Sequence, residues 1–231
     1  MESFFSAAVQ EAFLQGLCTT VWLSSLSGIL ALLLGLLGAF CKLFGPKWLK
    51  GVAGLYVEGF RNTPLLIQLY LFYRGLQSMG VTLSPEACGV LALSLYTGAY
   101  LTEIFRAAVQ AIPQQQTDAA LALGLNTLQT YGLVLLPQAI RWALPPIGNQ
   151  LISLTKNSSL LAFITVSDLF LVIYKGAVDE FKPVPYFIEG ALLYMALTLT
   201  LSTGIHGVER WLFSPKHPTT NPKAARLEVQ P

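Results

Sequence analysis

Charge is the scarcest feature of this 231-residue chain: only 11% of its residues are Asp, Glu, Lys or Arg, less than half the roughly 25% of a soluble domain. So few charges cannot cover a surface that faces water on all sides, which excludes a soluble enzyme and a disordered chain. A net charge of +2 is too small to attract a nucleic acid. Cysteine is rare too. Cys18, Cys41 and Cys88 are odd in number, far apart and set among apolar residues. This argues against a disulfide framework and a cysteine-rich zinc site and leaves packed or lipid-facing thiols. His206 and His217 have no ligand-spaced partners, and no metal site is expected. No Gly-x-x-x-x-Gly-Lys-[Ser/Thr] occurs, so the chain lacks a P-loop for ATP phosphates. No Ser/His/Asp or Cys/His arrangement suggests catalysis. No Lys or Arg precedes the first apolar run, and that run is too long for the h-region of a signal peptide.

What the chain has is apolar length. Hydrophobic residues make up 54% of it and mean hydropathy is +0.58. The longest stretch without charge, residues 12–41, has 30 residues, more than the roughly 20 that cross a bilayer as a helix. These features predict an all-α integral membrane protein with about five spans, near 16–41, 51–75, 87–106, 145–173 and 185–208. Ser24, Ser25, Ser27, Gly28, Gly35 and Gly38 on the first span are small enough for close helix packing. In the second span the charge-free part, 62–73, would reach only about 18 Å at about 1.5 Å per residue. The span must therefore begin near Gly51 and carry Glu58 and Arg61 inside it. Between spans 3 and 4 the chain turns polar. Gln110, Gln114, Gln115, Gln116, Gln129 and Gln138, with Pro113 and Pro137, predict a long loop with short amphipathic helices. Asp168 and Glu189 fall near outer span ends, where interfacial positions are expected.

Five spans put the termini on opposite sides. Arg74, Lys175 and Lys182 lie on one side; Lys42, Lys47, Lys50, Arg106, Arg141, Arg210, Lys216, Lys223 and Arg226 lie on the other. The positive-inside rule places the second group in the cytoplasm. Residues 1–15 then form an external N-terminal segment, the polar loop is cytoplasmic, and 209–231 form a cytoplasmic tail.

The polar loop carries the most informative motif. Asp118-Ala119-Ala120 is followed by three residues, Gly124, nine residues, Val134, one residue, then Leu136-Pro137. This resembles the EAA loop of the permeases of bacterial ABC importers. Thr117 or Asp118 can cap a short helix, the alanines keep its face narrow, and Gly124 permits a turn without a Cβ penalty. Val57-Glu58-Gly59-Phe60-Arg61-Asn62-Thr63-Pro64-Leu65-Leu66 is similar to a signature of the polar amino acid permease subfamily. So are Gly98-Ala99-Tyr100 with Glu103-Ile104-Phe105-Arg106, and Lys156-Asn157-Ser158-Ser159-Leu160. Asp118 stands where the family has Glu, and Gly59 where it has a bulky residue.

The resemblance implies a permease subunit of an ATP-driven amino acid importer in the bacterial inner membrane. It implies a second permease subunit, same or similar, a pair of ATPase subunits holding ATP and Mg, and an external substrate-binding protein. The chain itself binds no cofactor. Asp118, Ala119, Ala120, Gly124, Leu136 and Pro137 are the expected ATPase-coupling residues, on a coupling helix between spans 3 and 4. Glu58, Arg61, Thr63, Lys156, Asn157, Ser158 and Ser159 are candidates for the substrate pathway. Glu58 and Arg61 stand three apart and can also neutralise each other. Glu103 and Arg106 share that spacing but sit near a span end, where snorkelling favours a structural role. Lys156 lies about 16 Å along the expected fourth span at about 1.5 Å per residue, near mid-membrane, and needs a carboxylate there. That carboxylate is either a helix partner such as Glu58 or an amino acid in transit. Neutral Asn157 leans the substrate toward neutral polar or acidic amino acids. Two other classes fit the composition: an ion-gradient-driven secondary transporter, which usually shows internal repeats, and a non-transporting membrane scaffold, for which the buried charges would be hard to explain.

Overall fold

A computed structural model describes residues 7–213, and every element in them is helical. The order is α1 (Ala7–Phe44), α2 (Lys47–Arg61), α3 (Leu65–Tyr70), a π-helical turn (Leu71–Gly75), α4 (Leu76–Ser78), α5 (Pro85–Gln110), α6 (Gln114–Ala122) and α7 (Thr127–Gln129). A second π-helical segment (Thr130–Leu135), α8 (Leu136–Asn157), a 3-10 turn (Ser158–Ile164), α9 (Leu169–Asp179) and α10 (Pro183–Phe213) follow. Three helices are long and apolar enough to cross a membrane: Val9–Phe44, Pro85–Gln110 and Pro183–Leu212. A fourth candidate is the pair Thr127–Ile164 and Leu169–Asp179, bent by 52°. Of the tail expected from residue 209, only 209–213 are described; Lys216, Lys223 and Arg226 lie outside the described residues.

The helix α5 is the centre of the bundle, with 61% of its most apolar window buried against 11% for α10. It packs along α1, and the reason is small side chains. Apolar side chains gain nothing by leaving lipid for a helix interface, so association depends on close backbone approach. A Cβ at Gly35 would stand 2.5 Å from Leu101 Cβ, and one at Gly38 would collide with the Thr102 side chain. Ser94 Oγ donates to Ser27 O at 3.3 Å across the same seam. Gly35→Leu should therefore split α1 from α5, at a cost of about 1–3 kcal/mol or more for overpacking. Gly204→Leu, where nothing lies within 4 Å, serves as the control. The expected result is a lower melting temperature and yield in detergent for Gly35→Leu alone.

Several expected boundaries are corrected. Of the expected segment 1–15, residues 7–15 belong to α1, which buries Phe13 against Tyr186, ring centroids 5.9 Å apart, and residues 1–6 lie outside the described residues. The second span is not continuous. Pro64 lacks an N–H and forces Thr63 out of the helical region, so α2 ends at Arg61 and a new helix starts at Leu65. The helix that carries the fourth expected span does not begin at Pro145-Pro146. The helix starts at Leu136 with both prolines inside it, an arrangement tolerated where neighbouring groups re-satisfy the freed carbonyls.

Asp168, expected near an outer span end, is fully buried within the protein. Its Oδ1 accepts from Leu171 N at 2.9 Å, capping α9, while Tyr194 Oη donates to Oδ2 at 3.4 Å. Thr20 Oγ1 accepts from Leu169 N at 3.0 Å, tying α1 to the same bend. The cysteines are free thiols: Cys18 exposed, Cys41 half-buried and Cys88 buried.

Candidate functional site

The loop from α6 to α8 is a tightly specified projection. Pro113 precedes α6, so Thr117 and Asp118 fall inside that helix and cap nothing, contrary to expectation; Asp118 Oδ1 instead accepts from Gln114 Nε2 at 3.2 Å. The helix stops at a left-handed residue, Gly124 (φ 81°). Leu125 N donates to Ala120 O at 3.2 Å and Gly124 N to Leu121 O at 2.9 Å, the pair of bonds of a Schellman stop. One residue later Asn126 starts α7 through a reciprocal capping box with Gln129, both bonds 2.9 Å. That Asn-x-x-Gln signal was legible in the sequence and missed there. The π segment before Pro137 places a wide turn beside a residue that has no N–H to donate.

The loop is anchored on one side and bare on the other. Ile112, Leu135 and Ala139 form a buried cluster with Val109, Tyr131 and Val134 packed on it, and Ala120 is buried. Asp118, Ala119, Gly124, Leu136 and Pro137 are exposed. So are Leu123 and Leu128, each 83% accessible. A Cβ on Gly124 would meet nothing within 4 Å. A rigid knob with an apolar tip is suited to entering a groove in another protein.

The other candidates cluster at the two breaks in the helices. At the first, Glu58, Arg61 and Thr63 are all exposed. Glu58 and Arg61 form no ion pair among the described residues. Glu58 Oε2 accepts from Asn62 Nδ2 at 2.8 Å, and Arg61 lies over the Tyr100 ring, 5.0 Å from its centroid. Thr63 Oγ1 donates to Gly59 O at 2.7 Å. The break is held by a residue that sequence reasoning missed, Gln68. It is buried, and its Nε2 donates to Phe60 O at 2.9 Å, Thr63 O at 3.1 Å and Thr63 Oγ1 at 2.6 Å. Its amide supplies across the break the bonds that Pro64 interrupts. Gly59 is exposed and a Cβ there would meet nothing within 4 Å, so the bulkier residue usual at that position would also fit.

At the second break Lys156 stands in the last turn of α8, not in mid-helix as the sequence suggested. The negative end of the helix dipole favours a cation there. Lys156 is exposed and has no ion partner among the described residues; Glu58 does not reach it. Ser158 is buried and donates to Thr155 O, and half-buried Ser159 donates to Lys156 O, both at 2.8 Å. Asn157 is half-buried. The two breaks thus expose a set of polar groups, Lys156 among them, on helices otherwise suited to lipid.

Three helices of membrane length, polar breaks between shorter ones and a capped apolar projection define a helical membrane protein. Residues 31–213 match the binding-protein-dependent transport system inner membrane component family, and the chain belongs to it as a permease of ABC type. It is 36% identical over 198 residues to the L-cystine transport system permease protein TcyB of Bacillus subtilis (strain 168), covering 85% of each chain. It is 32% identical over 217 residues to the histidine/lysine/arginine/ornithine transport system permease protein HisM of Escherichia coli (strain K12), covering 89% of this chain and 91% of that one. A crystal structure of an amino acid ABC transporter with histidines superposes with a TM-score of 0.83 at 35% identity, over 87% of this chain and 94% of that one. Inward-facing structures of the MetNI methionine ABC transporter share the fold, with a TM-score of 0.74 at 17% identity over 90% of this chain and all of that one.

Proposed function

We propose that the chain is the permease subunit of an ATP-driven amino acid importer in the bacterial inner membrane. A second permease subunit completes the pathway, a pair of ATPase subunits holds ATP and Mg, and an external binding protein delivers substrate. The observation that carries this reading is the exposed knob from Gln114 to Pro137, rigidly stopped at Gly124 and restarted at Asn126. Asp118, Ala119, Ala120, Gly124, Leu136 and Pro137 form the contact region, and ATP-driven closure of the ATPase pair moves it. The relatives' names include a cystine, an arginine and a histidine system, which supports amino acids as a class and no one side chain.

Glu58, Arg61, Thr63, Lys156, Asn157, Ser158 and Ser159 border the pathway. Lys156 takes the substrate carboxylate, and the neutral groups beside it suit neutral polar or acidic amino acids. A photo-crosslinking residue at Leu123, which is 83% accessible, should capture the ATPase subunit in cells; capture of lipid alone would contradict the reading.

The orientation follows from the Lys/Arg asymmetry. A single cysteine at position 115 in a cysteine-free background should resist an impermeant maleimide on intact cells and react after permeabilisation. A cysteine at position 178, before Lys182, should react in both. Labelling at 115 on sealed cells would invert the topology.

A further inference from the structure

Lys42, Glu103 and Arg106 form a three-membered ionic cluster, and neither the contact region nor the pathway uses it. Lys42 is in the last turn of α1; Glu103 and Arg106 are on α5. Lys42 Nζ donates to Glu103 Oε1 at 2.5 Å, while Arg106 Nε and Nη2 donate to Oε2 at 2.9 and 2.6 Å. Both carboxylate oxygens are engaged, and the side chains are only 18–29% accessible, so water screens them less than an open surface pair. Arg106 Nη1 donates onward to Gln110, the last residue of α5. Four residues further on, α6 begins.

A second contact runs parallel to the first. Phe44, the last residue of α1, meets Tyr131 of the π segment edge to face, ring centroids 5.0 Å apart. Tyr131 packs on the cluster that joins Val109 and Ile112 to Leu135 and Ala139. The end of α1 is thus fastened to both strands of the loop, ionically to the incoming one and by ring packing to the outgoing one.

We propose that Glu103 is a positioning residue for energy coupling. By holding Lys42 and Arg106 together it makes the ends of α1 and α5 one body with the knob, so displacement of α6 reaches α1 directly. This rests on the reading of the knob as the ATPase contact. Without Glu103 only the packed α1–α5 seam and the Phe44–Tyr131 contact join α1 to the loop, so less of the displacement of α6 reaches the end of α1 and more ATP is hydrolysed per substrate carried.

The test uses the assembled transporter in proteoliposomes. Glu103→Gln keeps the size and removes the charge; Lys42→Met removes the α1 side of the link. Each should co-purify with the ATPase and keep basal hydrolysis and melting temperature near wild type. Substrate taken up per ATP should fall by at least about fivefold, the lower end of coupling between sites. The double variant should be no worse than Glu103→Gln alone, because both remove one link. Wild-type uptake per ATP in either single variant overturns the proposal, as does a loss explained wholly by less folded complex. Gly124→Asp separates the two claims. If it dissociates the ATPase while Glu103→Gln couples normally, only the positioning role fails; if it leaves assembly and coupling intact, the knob reading fails first.

Discussion

Gly124→Asp is expected to abolish substrate-stimulated ATP hydrolysis and to weaken ATPase association about a hundredfold or more, with membrane insertion unchanged. The fold should tolerate the change. Gly124 sits at φ 81° with open space around it, and Asp adopts left-handed geometry more readily than most residues, at about 1–2 kcal/mol. The large effect comes from the partner. A carboxylate pressed into an apolar contact between Leu123 and Leu128 loses water without gaining a counter-charge, at a cost of several kcal/mol, and every 1.4 kcal/mol or so is tenfold in affinity. Pull-down of the ATPase and hydrolysis in liposomes read the two effects separately. Normal stimulated hydrolysis in this variant would move the contact surface elsewhere.

Lys156→Met is expected to lower uptake by about tenfold or more while assembly and basal hydrolysis survive. Replacing a charge-assisted hydrogen bond to a substrate carboxylate removes about 1.5–3 kcal/mol. Little structural loss accompanies it, since Lys156 is exposed and pairs with no described acid; the α8 dipole favours its charge, worth about 0.3–1 kcal/mol. Glu58→Gln added to Lys156→Met should not restore uptake, because Glu58 is occupied by Asn62. Restored uptake in the double variant would mean that Lys156 served to neutralise Glu58.

The helical membrane fold was legible in the sequence because apolar length leaves few alternatives: a 30-residue uncharged run must be a buried or lipid-facing helix. The turn at Gly124 was legible because glycine four residues beyond Asp118-Ala119-Ala120 marks a stop that other residues disfavour. What was not legible depended on hydrogen bonds between distant residues. Pro64 announced a break, yet nothing local said that Gln68 would bridge it. Pro145-Pro146 resembled a helix start because proline favours first turns, but inside a membrane bundle they sit within α8. Asp168 was expected near a span end, and no local signal marked it as buried. Its burial follows from contacts with Leu171 and with Tyr194 of α10, which no sequence window contains. The pairing of Lys42 with Glu103, 61 residues apart, was hidden for the same reason.

The central claim is that this permease moves amino acids by ATP hydrolysis in a partner that its knob engages. The most direct measurement is uptake and hydrolysis in proteoliposomes holding the permease pair and its ATPase, with ATP inside and amino-acid-loaded binding protein outside. The account predicts that loaded binding protein raises hydrolysis severalfold, that uptake follows only when ATP is present, and that neutral polar or acidic amino acids are carried. Uptake driven by an imposed ion gradient without ATP, or hydrolysis indifferent to the loaded binding protein, would contradict it.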